Sequence, residues 1–521
     1  MAARATTVAG YDAQRGRYAF LRDSYWGGNQ YRNPSSTTMG SARLTQWVQT
    51  QSEVSTSYEL RTTGTIRSYL VPHAGESAEK FRVRCELAAH FNVSQPICDA
   101  YVDAVTGPVT RELGSLDPYL KNLNGRGMAW AQHVDEVARW AAVYGWVAAV
   151  YDNPPTNPAA SLAEEEALGI GLRATIVHPT AIAWIAVDRD GAVEELAFVD
   201  KPYVADDAGP VRQEVNVYVY GRDTWKVHTV KVDSSVVWAK VRPKLNEKNL
   251  VDSGLSPTPG RVPVAFAFFR EMSESAVPQG VSLIDDAADL SRQVYNHLSW
   301  IEEIHRKTAF PFLGIPERAS GGALDPETRV QVGPENAFGY NAESGSPAWV
   351  VPPDSTTPLR IHALFLVAAA LRTTGLEVTA TDSGADASGE ALKVRSRDFN
   401  ARCTRFAGAM QAFESNALRL AAAILKTSAT PVLTYPKRFV LPDSAQDLAS
   451  SLLAFNALWP ELGPEARLKL VRAVFDSALS LSDDELTQVV AETRAKLSTP
   501  APTTQPKPAA GAPSLAPGGD A

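Results

Sequence analysis

The sequence is poor in cysteine and has no long uncharged apolar run. Only Cys85, Cys98 and Cys403 occur in 521 residues, and none of them forms the C-x-x-C spacing of a zinc or redox site. This sparse, odd set predicts reduced thiols, as in a bacterial cytoplasm. The longest apolar run, Leu359–Leu371, is interrupted by charge and is too short to cross a bilayer. No signal peptide is recognisable, so we expect synthesis in the cytoplasm and no membrane partner.

An excess of positive charge is also missing. The chain has 50 Lys and Arg against 58 Asp and Glu, which gives a formal net charge of -8. Proteins that grip DNA non-specifically carry a basic patch or a high isoelectric point, because they neutralise phosphates. We therefore expect any contact of this chain with nucleic acid to be loose or transient.

Catalytic motifs are absent as well. The sequence contains no G-x-x-x-x-G-K-[ST] phosphate loop, no G-x-S-x-G nucleophile elbow and, among its eight histidines, no H-E-x-x-H zinc site. The Gly-x-Gly fragments within 124–130 and 168–173 lack the full pattern of a dinucleotide site, so they predict turns. These absences predict a protein that is not an enzyme and uses no cofactor.

One acidic cluster does resemble a catalytic pattern. Asp285, Asp286 and Asp289 lie together on one predicted helix, and such carboxylates hold magnesium in some enzymes. No second cluster on a comparable helix accompanies them. Acidic side chains in a first turn also stabilise a helix through the positive end of its dipole. We favour this interpretation and keep a metal-dependent enzyme built on the cluster as the alternative.

The first half of the chain has mixed helix and strand patterns. Its composition, 45% hydrophobic and 21% charged, is typical of globular proteins. Residues 1–45 are polar and aromatic and predict a loosely ordered arm or a docking segment. Residues 46–281 predict an α+β region. Its predicted helices lie in Glu76–Val102 and Met128–Tyr144, and its predicted strands are Leu172–Val177, Ala181–Val187, Val215–Tyr220 and Trp225–Val232.

The second half is mainly helical. The predicted segments are a helix over 282–307, a Pro/Gly-rich part with short strands over 308–357, a helix over 358–375, a small-residue loop over 376–389, a helix over 390–428, further helices over 429–498 and a disordered tail over 499–521. The helix over 390–428 would be about 58 Å long.

This long helix has a single apolar stripe. Phe399, Phe406, Met410 and Phe413 belong to a series whose spacings alternate between four and three residues. A long helix with one such stripe needs a partner along its length. The preceding helices are much shorter, so the sequence alone does not say which element or molecule covers the stripe.

Three local phrases and this order of segments together resemble the portal proteins of tailed phages. The phrases are YGWVAAVYDNPP at 144–155, SLIDDAADLSRQVYNHLSWIEEIHRKTAFPFLGIP at 282–316 and ASGEALK at 387–393. The resemblance covers roughly residues 70 to 497. It implies an α+β portal fold with an α/β wing (46–281), a two-helix stem (282–307 and 358–375), a small β-containing clip (308–357), a tunnel loop (376–389), a long kinked wing helix (390–428) and a helical crown (429–498).

The resemblance also implies a function. Portal subunits form a homo-oligomeric ring, typically of twelve copies, at one vertex of the virion capsid, and double-stranded DNA passes through the central channel. The clip would dock the terminase large subunit and later the head-completion or adaptor proteins, and the ring would also contact capsid and scaffolding proteins. Besides the metal-dependent enzyme, a different oligomeric virion component, such as a tail or baseplate subunit, remains an alternative.

Candidate site residues follow from these roles. In such a ring, head-to-tail contacts with neighbouring subunits are expected to cover the apolar stripe at Phe399, Phe406, Met410 and Phe413. Tunnel-loop contacts with DNA are expected at Thr379, Thr381, Asp382, Ser383, Asp386 and Ser388. Channel-facing stem residues are expected at Asp285, Asp289 and Glu302. Motor and adaptor docking is expected at the clip residues Glu317, Arg318, Asp325, Glu327 and Arg329. The loop contains no Lys or Arg, so DNA is expected to slide past it without being held.

Overall fold

Helices and antiparallel sheets combine in this chain, which is an α+β protein as predicted. The computed structural model describes residues 7–32, 41–51, 56–74, 76–153, 161, 164, 171–200, 213–232, 237–308, 312–317, 337–341, 348–350, 356–376, 389–436 and 439. All of these residues belong to one unit, Met1–Phe439. The predicted crown beyond residue 439, the predicted tail and residues 377–388 of the predicted tunnel loop lie outside the described residues.

The helices follow the predicted order. They are α1 (Arg15–Trp26), α2 (Gly28–Arg32), α3 (Ala78–Leu87), α4 (Ser94–Thr106), α5 (Trp130–Tyr144), α6 (Trp238–Val241), α7 (Asp285–Thr308), α8 (Thr356–Thr373) and α9 (Gly389–Ile424). The helices predicted over 282–307, 358–375 and 390–428 are confirmed as α7, α8 and α9. The helical pattern of 76–102 belongs to two helices, α3 and α4, because the chain leaves the helical conformation between them.

The largest sheet has six antiparallel strands in the order β1-β7-β8-β9-β10-β11. These strands are β1 (Thr7–Ala9), β7 (Ile182–Val187), β8 (Val193–Val199), β9 (Gln213–Gly221), β10 (Thr224–Val232) and β11 (Leu250–Leu255). Every residue of β7 is buried, as its apolar sequence predicts. A tight turn follows β7: Asp188 accepts hydrogen bonds from the backbone of Asp190 and Ala192 at 2.9 Å, and Gly191 has a φ of 81°.

Smaller sheets complete the described part. They are β12-β5-β6 (Val264–Phe268, Trp146–Asp152 and Arg173–Val177), β2-β3 (Ser41–Gln51 and Thr56–Arg67), β16-β4 (Val432–Thr434 and Thr110–Glu112) and β14-β13-β15 (Ala337–Asn341, Phe312–Glu317 and Ala348–Val350). The last of these falls in the predicted clip. There β13 pairs with β14 in parallel and with β15 antiparallel.

The N-terminal residues are part of the core. Tyr18, Phe20 and Leu21 of α1 are buried, and Tyr31 of α2 is fully buried. The indole of Trp146 in β5 donates a hydrogen bond to the Tyr18 hydroxyl at 3.1 Å. The prediction of a loosely ordered arm is therefore wrong for residues 7–32, because their aromatic side chains bury apolar surface against the sheet and helices.

The apolar stripe of α9 is covered from within the chain. Phe399, Phe406, Met410 and Phe413 have at most 1% of their surface exposed. The Phe399 ring lies 4.8 Å from that of Tyr101 in α4, and the Phe406 ring lies 5.1 Å from that of Phe269 after β12. The expectation that neighbouring subunits cover these four side chains is thus corrected, because α4 and the sheet β12-β5-β6 already cover the stripe.

A buried carboxylate fixes α9 against three other elements. Glu414 is fully buried and accepts hydrogen bonds from Arg111 of β4 at 2.6 Å, from the Trp130 indole of α5 at 2.7 Å and from the Tyr435 hydroxyl at 2.6 Å. Four polar groups are satisfied at once. Removing the charge of Glu414 leaves the Arg111 guanidinium buried without its counter-ion.

We expect Glu414→Gln to lower the free energy of unfolding by about 3 kcal/mol, because an uncompensated buried charge remains. Chemical denaturation followed by tryptophan fluorescence measures this loss. Arg405→Gln on the exposed side of α9 is the control and should be nearly neutral. Adding Arg111→Gln to Glu414→Gln should restore part of the stability. A loss under about 1 kcal/mol for Glu414→Gln would contradict this account.

Candidate functional site

The residues just before α7 attach the helix pair α7–α8 to the rest of the fold. The Ser282 hydroxyl donates to the carbonyl of Val143 in α5 at 2.7 Å, and the Leu283 amide donates to that of Ala142 at 3.0 Å. The Ser282 oxygen also accepts from the Ile284 amide at 3.0 Å, which forms a local turn just before α7 begins. The buried end of α5 therefore determines where the helix pair begins.

A second set of contacts holds the middle of α7. The Asn296 side chain accepts from the Val71 amide at 2.8 Å and donates to the Tyr69 carbonyl at 3.3 Å. Arg84 of α3 donates to the Val71 carbonyl at 2.7 Å and forms a buried ion pair with Glu76. Burial would raise the pKa of Glu76, but the hydrogen bonds from Arg84 outweigh it and lower the pKa of this carboxyl.

Histidines link α7 to α8. His297 places its Nδ1 2.8 Å from the Gln293 carbonyl, so Nδ1 donates and Nε2 is left to accept. The Nδ1 of His362 in α8 lies 3.0 Å from that Nε2 and donates to it. Arg360 of α8 donates to Nε2 of His305 at 3.0 Å. These contacts fix the relative height of two antiparallel helices.

The predicted channel-facing acids are divided between two environments. Arg17 of α1 donates to Asp285 at 2.9 Å and to Asp289 at 3.0 Å, and it also donates to the Asp285 carbonyl. Both carboxylates are about half-exposed but face this guanidinium of the same chain. Asp286 and Glu302 are exposed. Within the described residues, no group of three or more His, Cys, Asp or Glu could hold a metal ion.

The outer side of α8 exposes large apolar side chains. Ile361, Leu364 and Phe365 are 61–63% exposed, while Ala363 and Leu366 of the same helix are buried. The spacing of i, i+3 and i+4 places the exposed three on one face. This face was not predicted from the sequence, although its signal is present: the apolar run 359–371 surrounds the helix, whereas α7 can cover only one side of it.

The remaining predicted site residues are placed as follows. Glu317 is the last residue of β13. The other clip candidates, Arg318, Asp325, Glu327 and Arg329, and the tunnel-loop candidates Thr379, Thr381, Asp382, Ser383, Asp386 and Ser388 lie outside the described residues. None of the described helices has the length and apolar composition needed to span a membrane.

Comparisons with known proteins return structures and no family. No family model and no curated protein matches the chain. The neck of an empty GTA particle computed with C6 symmetry is 16% identical, with 81% of this chain and 95% of that chain covered and a TM-score of 0.36. The virion of the native gene transfer agent (GTA) particle is 14% identical, with 80% and 96% covered and a TM-score of 0.36. The neck of the native GTA particle computed with C12 symmetry is 16% identical, with 76% and 89% covered and a TM-score of 0.33.

Similarity at this level does not assign a function. With identities of 14–16% and TM-scores of 0.33–0.36, the function is inferred from the order of elements and the surfaces of this chain itself.

We expect magnesium to leave the unfolding midpoint of the protein unchanged, because Arg17 already neutralises two carboxylates of the acidic cluster. Arg17→Gln should lower the free energy of unfolding by about 1 kcal/mol, as for partly exposed ion pairs, and Arg306→Gln at the other end of α7 is the control. Thermal unfolding with and without magnesium measures both effects. A magnesium-induced stabilisation that Asp286→Ala abolishes would support the enzyme alternative instead.

Proposed function

We propose that this chain is the structural subunit of a portal ring, through which phage DNA is packaged and ejected at one capsid vertex. The observation that carries the proposal is the order of the described elements. An α+β body is followed by the 24-residue helix α7, a small three-stranded sheet, the 18-residue antiparallel helix α8 and the 36-residue helix α9, which returns into the body. This is the order that the resemblance to portal proteins predicts.

The contacts of α9 support a mechanical role. With 36 residues, α9 is about 54 Å long. Its buried stripe packs on α4 and on the sheet β12-β5-β6, and Glu414 joins it to α5. A helix held along one side by the core can transmit force without bending. The loop 376–389 immediately precedes this helix, so α9 would support it as the tunnel loop of the ring.

The exposed acids and the missing catalytic groups support a passive channel. The formal net charge of -8 and the absence of Lys and Arg from 376–389 favour a wall that repels phosphates. The small sheet β14-β13-β15 lies between α7 and α8 in the chain, where the clip is expected. We propose that this part docks the terminase large subunit, which would carry the ATPase, and later the head-completion or adaptor proteins.

A ring predicts a closed oligomer. Twelve copies of a 56.1 kDa chain would have a mass of about 670 kDa, and closed head-to-tail contacts would give one dominant species. Mass photometry of the purified full-length chain over a range of concentrations measures this. We expect a single large species near a dozen copies, with little between it and the monomer. A monomer at every concentration, or a continuous series of lengths, would contradict the proposal.

A further inference from the structure

The exposed face of α8 lies opposite the side of the helix that is buried. Ala363, Leu366 and Ala370 are buried on the side of α8 that meets α7, whereas Ile361, Leu364 and Phe365 lie on the opposite side. Large apolar side chains that are exposed together mark a surface that another molecule covers. We call these three residues the outer face of α8.

A matching surface lies beside α7 in the same chain. A cavity of about 380 Å³ opens there, lined by His73, Trp300, Glu303, Ile304 and Leu359. Three of these side chains are apolar, and the Nε2 of His73 lies 3.1 Å from Glu303 at its polar edge. Trp300 and Ile304 are only partly buried. The cavity can therefore accept apolar side chains from outside the chain.

The two surfaces lie at the same height along the helix pair. The contact between His297 and His362 sets the level of α7 against α8. In two antiparallel helices, one residue further along α7 corresponds to one residue earlier in α8. Because His297 faces His362, Ile361 is level with Leu298, and Trp300 lies about 3 Å further along the helix axis. Rotation about an axis parallel to the helices preserves height, so neighbouring copies in a ring would meet at equal heights.

Charge favours contact between unlike helices. The ionised side chains of α8 are Arg360 and Arg372, and it contains no Asp or Glu. On α7, the exposed acids Asp286 and Glu302 lie within about 5 Å of the levels of Arg372 and Arg360. The basic residues Arg292 and Arg306 of α7 lie farther from both levels. Pairing α8 with a second α8 would bring like charges together, whereas pairing α8 with α7 brings opposite charges together. The occupant that fits the outer face of α8 is thus the α7 side of another copy.

We propose that Ile361, Leu364 and Phe365 of one copy dock on the flank of α7 of the next copy, with Ile361 beside Trp300. This inference rests on the proposed ring for the direction of the axis. It moves the contact between subunits away from the stripe of α9, which the chain itself covers, to the outer face of α8.

Disulfide trapping tests this register. The native cysteines are all buried, so they should not interfere. In the double variant Ile361→Cys/Trp300→Cys, oxidation should give a covalent ladder ending at the full ring. A disulfide within one chain would keep the mass of a monomer and give no ladder, so the ladder reports only joining between copies. Ile361→Cys/Asp286→Cys is the off-register control, because Asp286 lies about 18 Å from the level of Leu298. It should give no ladder.

Charge insertion tests the same face without relying on cysteines. Phe365→Glu should convert most of the ring into monomers at equal protein concentration. Leu255→Glu in β11, which alters a side chain that is 82% exposed, is the matched control and should leave the ring intact. Rings that persist in Phe365→Glu, with no ladder from the Trp300 pair or equal ladders from both pairs, would overturn this inference while the ring stands. Absence of rings in the unaltered chain would instead overturn the proposed function.

Discussion

Backbone contact between Gly145 and the segment 280–282 determines where the helix pair leaves the body. Gly145 ends α5 with a φ of 89°, and a Cβ there would lie 2.5 Å from the Val281 carbonyl carbon. Gly280 approaches the Gly145 backbone equally closely, so neither position has room for a side chain. Because Ser282 binds the same end of α5, the start of α7 is placed by the buried C-terminal end of that helix.

Polar side chains, most of them buried or partly buried, join the other elements of the fold. Glu414 joins α9 to β4 and α5, Arg84 and Asn296 hold α3 and residues 69–71 against α7, and Arg17 joins α1 to the first turn of α7. Each of these contacts links elements that are far apart in the chain. The direction of the helix pair is therefore fixed from several sides, as a proposed stem that carries load would require.

Local signals in the sequence were sufficient for most elements. The helical pattern of 128–144 and the apolar run of 181–187 each depend on neighbouring residues, and the structure confirms them as α5 and β7. Periodicity also predicted that Phe399 and Phe406 are covered. The pattern did not reveal which residues cover them, because Tyr101 and Phe269 come from distant parts of the chain. The pairing of Arg17 with Asp285 and the burial of Tyr18 were missed for the same reason.

Electron cryomicroscopy of the assembled full-length chain tests the central claim most directly. The account predicts a closed ring whose central channel is wide enough for a DNA duplex, with the α7–α8 pairs around it and each outer face of α8 against the α7 of its neighbour. A particle without a through-channel, or a ring in which Ile361, Leu364 and Phe365 face solvent, would contradict it.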